Sequence, residues 1–282
     1  MATMKELKGD QPTWCPGCGH FSIMAGIQKS IVSLGYEPHE FAIVSGIGCS
    51  GKVSEYVRTN GFHSIHGRSL PVAQGVKMGN PKLKVIASGG DGDGYGIGQG
   101  HFVHASRRNI DITYIVMDNN IYGLTKGQLS PKSAHGFVTK HSKQGNKEFP
   151  VDPISTAIVN GATFVAQGFA GDIKQMNDIL NRAIEHKGFS YVNVFSPCVT
   201  FNKINTYDFY KTNLTTVEKP LETREEAVAK IRQHESLVTG VLYEENRDDF
   251  QTKLGIEFDL QPNISGKMDH QLYQTFEKQF TC

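Results

Sequence analysis

The segment 84–118 constrains the fold of this chain more than any other part of the sequence. An apolar run at 84–88 predicts a buried strand, and a glycine-rich loop at 89–96 and a helix at 98–108 follow it. A second apolar run at 112–118 predicts another strand, and neither run alternates between apolar and polar residues. Continuous apolar strands joined through helices are typical of a parallel sheet covered on both faces. We therefore predict an α/β fold with a doubly wound, mostly parallel sheet.

The same alternation of strands and helices extends through the chain to about residue 200. We predict further strands at 41–45, 163–166 and 190–195, and further helices at 21–34, 71–78 and 173–186. The stretch 119–150 is polar and glycine-rich, and it is long enough to be a functional loop. Beyond residue 200 the composition changes, and 222–239 predicts an exposed charged helix. We therefore expect an α/β domain over 1–200 and a C-terminal extension over 201–282 that packs on this domain or on a partner subunit.

Charge and hydropathy exclude several classes of protein. The chain has 29 Lys and Arg against 28 Asp and Glu, a net charge of +1 that does not fit a general nucleic-acid binder. No apolar run approaches the roughly 18 residues of a membrane span. The first ten residues carry charge and lack the apolar core of a signal peptide. We therefore expect a cytoplasmic protein with neither a nucleic-acid nor a membrane partner.

Four of the five cysteines occupy positions typical of a metal or redox centre. Cys15 and Cys18 form a CxxC loop, whereas Cys49 and Cys198 each follow a predicted strand. Because the carboxyl ends of parallel strands meet at one edge of a sheet, all four side chains can converge there. Four thiolates fit a zinc ion or a [4Fe–4S] cluster, and the CxxC loop alone also fits a redox dithiol of the thioredoxin type. We interpret Cys282 as a bystander.

The sequence resembles two nucleotide-binding motifs but does not match either of them in full. The segment 46–53 resembles a P-loop, but Val53 stands where the motif needs a hydroxyl for Mg²⁺. The glycines at 89–100 do not match the GxGxxG pattern of a dinucleotide-binding turn.

Asp91 and Asn119 favour a magnesium site instead. Asp91 lies just past one predicted strand and Asn119 just past the next, which places a carboxylate and an amide oxygen side by side at the edge of the sheet. Mg²⁺ takes oxygen ligands and is commonly held by one or two protein side chains together with substrate phosphates. The nearby backbone carbonyl of Ile121 can complete the set, and Gly92 and Gly94 allow the backbone to approach a diphosphate closely.

Five motifs, taken together, carry a family resemblance. GDG followed by a strand-helix-strand interval and NN is the signature of thiamine-diphosphate enzymes. WCPGCGH, GIGCSGK, HGR, GGDGDGYGIG and DNNIYGLTKGQ together resemble the β subunit of the 2-oxoacid:ferredoxin oxidoreductases. The two-subunit type, and within it 2-oxoglutarate:ferredoxin oxidoreductase, is the most similar. The motifs cover about residues 10–200, and we expect the tail beyond them to contribute nothing to the resemblance.

The resemblance implies a thiamine-diphosphate-binding fold and the residues that hold three cofactors. One [4Fe–4S] cluster would bind to Cys15, Cys18, Cys49 and Cys198. Mg²⁺ would bind to Asp91, Asn119 and the carbonyl of Ile121. Thiamine diphosphate would contact Ile47, Gly48, Cys49, Ser50, His66, Gly92, Asp93, Gly123 and Leu124.

The resemblance also implies an activity and its partners. The activity is the coenzyme A-dependent oxidative decarboxylation of a 2-oxoacid, with electrons passing through the cluster to ferredoxin. We favour 2-oxoglutarate, with pyruvate or a broad 2-oxoacid specificity as the alternative. The family works with an α subunit, so we expect a heterodimer or a dimer of heterodimers and an inactive isolated chain. An iron-sulfur electron-transfer module without chemistry of its own, and a nucleotide-binding protein with a zinc site, remain the other hypotheses.

Two lysines and two histidines are further candidates. Lys52 and Lys126 each follow a cofactor-facing motif, and an ammonium group there can hold a substrate carboxylate; the alternative is a solvated surface lysine. His20 and His66 can contact the diphosphate or satisfy loop carbonyls. The histidines of the predicted helix at 98–108, His101 and His104, are not expected to bind metal.

Overall fold

An eight-stranded sheet forms the centre of the computed structural model, which describes residues 2–255 together with Gln274 and Lys278. The strands are β1 (Phe41–Ser45), β2 (Asn60–His63), β3 (Lys84–Gly90), β4 (Ile112–Asp118), β5 (Ile121–Tyr122), β6 (Gln128–Leu129), β7 (Phe164–Phe169), β8 (Phe189–Phe195), β9 (Thr215–Thr216) and β10 (Val238–Glu244). The sheet order is β2-β1-β3-β4-β8-β7-β10-β9, and β5 pairs with β6 in a separate hairpin. All neighbours in the large sheet are parallel except β10, which runs antiparallel to β7. The predicted α/β class with a mostly parallel sheet is therefore confirmed.

Helices cover both faces of the sheet. They are α1 (His20–Ser33), α2 (Val53–Tyr56), α3 (Ser69–Gly79), α4 (Gln99–Arg108), α5 (Pro153–Val159), α6 (Ile173–Glu185), α7 (Tyr207–Asn213), α8 (Arg224–Gln233) and α9 (Phe250–Lys253). Side chains that alternate along β4 point into two separate cores: Tyr114 packs with the core that includes Phe102 of α4, and Ile115 with the core that includes Ile27 of α1. This two-sided burial explains why β4 is apolar without alternation.

The predicted charged helix at 222–239 is wrong in its second half. The helix ends at Gln233, and the chain then reverses through Glu235 and Ser236, whose φ angles are 50° and 66°. These left-handed conformations cannot continue an α-helix. The following residues form β10, which buries Val241 and Leu242 against its neighbours. Part of the predicted C-terminal extension thus belongs to the central sheet.

Two smaller differences lie near the sheet edge. Strand β2 was not expected, because its four residues are exposed and show no apolar pattern. The predicted loop at 89–96 is shorter than expected, because β3 continues to Gly90 and a wide helical turn covers Asp93–Ile97. The prediction for Cys282 and the end of the extension lie outside the described residues. Within the part of the chain that is described, no helix has the length and hydropathy needed to cross a membrane.

Candidate functional site

The loops that follow β1, β3, β4 and β8 meet at one edge of the sheet. These four strands are parallel neighbours, so their carboxyl ends point the same way and their loops converge. The loops enclose two adjoining cavities, which we call the cofactor cleft and the cysteine cavity. Cys49, Asn119, Gly123 and Leu124 line both of them.

The cofactor cleft has about 460 Å³ of empty space, counting the part open to solvent. Every residue predicted to contact thiamine diphosphate lines it, and so do the three predicted magnesium ligands. The sequence motifs, which are far apart in the chain, are therefore brought to one place by the fold. His20 and Thr125 line the same cleft.

Asp91 lines the cleft directly after β3, and its side chain is buried. One carboxylate oxygen accepts a hydrogen bond from the hydroxyl of Ser130, and the other faces the backbone N–H of Asn119 at 3.4 Å. Burial, followed by the charge of the neighbouring Asp118, raises the pKa of the Asp91 carboxyl to about 8. A cation beside this carboxylate would favour its ionised form.

Asn119 and Ile121 carry the other two oxygens that are predicted to bind magnesium. Asn119 Oδ1 accepts a hydrogen bond from the backbone N–H of Ile121 at 3.1 Å, which fixes the turn that follows β4. The resulting donor set is a carboxylate, an amide oxygen and a backbone carbonyl, and this chemistry fits Mg²⁺.

Asp93 ties two loops of the cleft together. Its Oδ1 atom accepts hydrogen bonds from the backbone N–H groups of Ile47 and Gly67, both at 2.8 Å. Burial raises the pKa of this carboxyl, and its Oδ2 atom has no hydrogen-bond partner among the described residues. The side chain thus holds the loop after β1 against the loop that contains His66. Its direct contact with a cofactor stays a prediction.

We expect Gly46→Ala to disrupt this tie. A Cβ atom at Gly46 would lie 2.0 Å from Asp93 Oδ2, so the carboxylate or the loop must move. Overpacking of this kind costs roughly 1–3 kcal/mol of unfolding free energy. Thermal unfolding should therefore show a melting temperature lower by several degrees. Gly75→Ala in α3 is the matched control, since nothing lies within 4 Å of its Cβ position, and it should not lower the melting temperature. Equal melting of both variants would contradict the proposed steric role.

The cysteine cavity has about 790 Å³ of empty space, counting the part open to solvent. Cys15, Cys18, Cys49 and Cys198 all line it, and all four are free thiols. The pKa of the Cys18 thiol is raised to about 12 and that of the Cys49 thiol to about 11. Burial is the main cause of both shifts, and the neighbouring cysteines contribute to them. Four thiolates cannot share such a space unless a positive group compensates their charge.

The cysteine cavity bears on two of the metal hypotheses, a zinc ion and a [4Fe–4S] cluster. No three His, Cys, Asp or Glu side chains in the described chain come close enough together to hold one metal ion. A zinc site needs four sulfurs at about 2.3 Å from a single point. The four iron atoms of a [4Fe–4S] cluster each take a separate cysteine, so the sulfurs stand around a larger volume. Four cysteines on the walls of one cavity are the number of ligands that both centres use, so the [4Fe–4S] cluster stays a prediction.

Trp14 joins the two cysteine-bearing loops. Its Nε1–H donates to the carbonyl of Cys49 at 2.7 Å, and its ring packs edge-on against Tyr56. The residue that precedes the CxxC loop therefore fixes that loop against the one that carries Cys49.

Lys52 and Lys126 line the cysteine cavity rather than the cofactor cleft. Lys52 Nζ donates to Thr13 Oγ1 at 3.0 Å, and Lys126 has a left-handed backbone with a φ of 75°. Neither ammonium group forms an ion pair with another described residue. Their role toward a substrate stays a prediction.

The histidines occupy different environments. His20 is buried, its Nδ1 atom lies 2.6 Å from Ser196 Oγ, and burial lowers its pKa to about 4, so it is neutral. His66 lines the cleft with its Nδ1 atom 3.3 Å from Asp93. His101 and His104 lie on α4, away from both cavities.

Two residues of the site were missed from the sequence. Tyr122 donates through its hydroxyl to the carbonyl of Gly92 at 2.9 Å, and Ser130 contacts Asp91. Tyr122 lies inside a quoted motif, so its position was a usable signal. Ser130 lies 39 residues from Asp91, and no spacing pattern indicates that contact.

Comparison with known proteins gives two family matches. The model described as thiamine pyrophosphate enzyme, C-terminal TPP binding domain, matches residues 46–194. A second model, described as the C terminal of the pyruvate ferredoxin oxidoreductase beta subunit, matches residues 198–256. The expectation that the tail beyond residue 200 contributes nothing to the resemblance is therefore wrong.

Individual proteins match across most of the chain. The 2-oxoacid:ferredoxin oxidoreductase subunit beta of Saccharolobus solfataricus is 48% identical over 209 residues, which cover 73% of this chain and 68% of that protein. The 2-oxoglutarate synthase subunit KorB of Archaeoglobus fulgidus is 41% identical over 198 residues, 70% of this chain and 74% of that protein.

A solved structure is also similar. It is described as the 2-oxoglutarate:ferredoxin oxidoreductase from Magnetococcus marinus with 2-oxoglutarate, coenzyme A and succinyl-CoA bound. The match has a TM-score of 0.86 at 39% identity and covers 93% of this chain and 94% of that chain.

Proposed function

This chain belongs to the β subunits of the 2-oxoacid:ferredoxin oxidoreductases, and on that basis we propose that it carries the cofactor site of such an enzyme. The enzyme, formed with an α subunit, decarboxylates a 2-oxoacid oxidatively, transfers the acyl group to coenzyme A and reduces ferredoxin. One observation carries the proposal: Cys49 lines both the cofactor cleft and the cysteine cavity. A cofactor in the cleft would therefore lie beside a redox centre in the cavity.

The residues of the cleft fit the cofactors that the family uses. Thiamine diphosphate, when bound, supplies the nucleophilic carbon that lets a 2-oxoacid lose carbon dioxide, and a [4Fe–4S] cluster accepts the released electrons one at a time. Asp91, Asn119 and the Ile121 carbonyl would hold Mg²⁺ at the diphosphate. Cys15, Cys18, Cys49 and Cys198 would hold the cluster.

The protein residues set the positions of the loops around the cleft. Asp93 uses the N–H groups of Ile47 and Gly67 to set the two loops beside the cleft. The Tyr122 ring occupies the space that a side chain at Gly92 would need. A Cβ atom added at Gly92 would lie 2.2 Å from the ring. Glycine at this position therefore allows the ring and the backbone to approach each other.

We propose 2-oxoglutarate as the preferred substrate. Relatives named 2-oxoglutarate synthase subunits and a similar structure with 2-oxoglutarate bound support this choice. A broad 2-oxoacid specificity is the second candidate, supported by relatives named only for 2-oxoacids. Ferredoxin as acceptor, a heterodimer or dimer of heterodimers, and a cytoplasmic location are parts of the same proposal.

Lys52 and Lys126 test the substrate proposal. If they bind the second carboxylate of 2-oxoglutarate, Lys52→Ala and Lys126→Ala should raise its KM about 10- to 100-fold, because a hydrogen bond to a charged group contributes roughly 1.5–3 kcal/mol. The KM for pyruvate, which lacks the second carboxylate, should change little. Lys29→Ala on the exposed side of α1 is the matched control. Unchanged KM values for 2-oxoglutarate in both variants would refute this role.

Turnover with and without the partner tests the activity itself. The chain co-purified with its α subunit should reduce ferredoxin with 2-oxoglutarate and coenzyme A, and it should do so faster than with pyruvate. The chain alone should show no turnover. Turnover by the isolated chain, or none by the complex with any 2-oxoacid, would contradict the proposal.

A further inference from the structure

The segment 130–133 contacts both of the loops that carry the proposed magnesium ligands. It follows the short strand β6 and has the sequence Ser-Pro-Lys-Ser. We call it the clamp segment. Ser130, Lys132 and Ser133 are all buried, although this part of the chain lies outside the helices and strands.

Ser130 contacts Asp91 directly. The hydroxyl of Ser130 donates to Asp91 Oδ2, and the backbone N–H of Lys132 donates to the same hydroxyl oxygen at 3.3 Å. Since a serine hydroxyl has a single proton, the contact from Lys132 leaves that proton directed to the carboxylate. The hydrogen bond therefore restrains the rotation of the Asp91 side chain.

The rest of the clamp segment holds the loop that contains Asn119. Ser133 Oγ donates to the carbonyl of Asn120 at 2.7 Å, and Asn120 Nδ2 donates to the carbonyl of Lys132 at 3.1 Å. Lys132 Nζ lies 3.9 Å from Asp118 Oδ2, and both side chains are buried. The clamp segment therefore links Asp91 to the residues on either side of Asn119, which sets the relative position of the two ligands.

We propose that Ser130 is a positioning residue for Mg²⁺, which orients the Asp91 carboxylate so that its free lone pairs face the ion. The inference rests on the proposed function, in which Asp91 is a magnesium ligand. Groups that hydrogen-bond to metal ligands typically change metal affinity by about 10- to 100-fold when they are removed. Ser130→Ala removes this hydroxyl, and with it the hydrogen bond from the Lys132 N–H, but it keeps the hydrogen bond from the Ser130 N–H to Ser133 Oγ at 2.9 Å.

The test measures metal binding rather than activity. The α/β complex is stripped of Mg²⁺ and titrated with it in the presence of thiamine diphosphate, with calorimetry giving the Kd. Ser130→Ala should raise the Kd for Mg²⁺ about tenfold or more. Asn146→Ala is the control for loop packing, because Asn146 Nδ2 donates to the carbonyl of Ser133 at 2.8 Å and does not touch Asp91. It should lower the melting temperature and leave the Kd for Mg²⁺ within about threefold.

The possible results distinguish a failure of the inference about Ser130 from a failure of the proposed function. If Ser130→Ala leaves the Kd unchanged, or if Asn146→Ala raises it equally, Ser130 acts only through loop packing and the inference is wrong. If the unmodified complex takes up no Mg²⁺ with thiamine diphosphate, or if Asp91→Ala binds Mg²⁺ normally, the proposed function fails and the inference fails with it.

Discussion

Replacing Cys198 with serine is expected to remove the cluster and abolish ferredoxin reduction. Cys198 lines the cavity together with the other three thiols, and a missing thiolate leaves one corner of a four-cysteine cluster without its ligand. The purified variant should lose most of its iron and acid-labile sulfide together with its visible absorbance. It should still bind thiamine diphosphate, because Cys198 does not line the cofactor cleft.

The control for this prediction is the same substitution at Cys282. We interpret that residue as a bystander, so Cys282→Ser should keep its iron, sulfide and activity. A Cys198→Ser variant that retains about four irons per chain would contradict the assignment of the cysteine set.

The second large effect is expected at Asp91. Asp91→Ala removes the one carboxylate among the proposed magnesium ligands and leaves the diphosphate without its counter-charge. Losing a metal contact of several kcal/mol should reduce kcat by about 10³-fold or more. The Asp91→Ala variant should contain little thiamine diphosphate after purification. Asp91→Asn should behave similarly, because asparagine has the shape of aspartate but lacks the negative charge.

Cluster content provides the internal control for Asp91. The carboxylate does not line the cysteine cavity, so Asp91→Ala should retain its iron and sulfide. The two substitutions are thus expected to have opposite effects on the two cofactors. If thiamine diphosphate remains bound to Asp91→Ala at the unmodified level, the carboxylate does not hold the magnesium ion.

The central strands could be predicted because their burial is visible in the sequence. β3 and β4 are covered on both faces, so their apolar runs are continuous and their bounds match the prediction closely. β2 and β10 could not be predicted in the same way. The residues of β2 are exposed, and β10, which pairs with β7, follows a reversal at Glu235 and Ser236.

The candidate site could likewise be predicted only in part from the sequence. Asp91 and Asn119 could be paired from the sequence because each lies just past a strand of a parallel sheet, and the carboxyl ends of such strands converge. The contacts that set their orientation depend on the path of a long loop. Ser130 contacts Asp91 although 39 residues separate them, and Lys52 and Lys126 line the cysteine cavity although the motifs that they follow were predicted to face the cofactor. Local patterns contain no information on these placements, since they are decided by tertiary packing.

The most direct test of the cofactor assignments is a count of cofactors in the anaerobically purified complex with the α subunit. Iron, acid-labile sulfide and thiamine diphosphate are measured per β chain. We expect about four irons with matching sulfide and one thiamine diphosphate. Zinc without sulfide, or a cluster without thiamine diphosphate, would contradict the assignments.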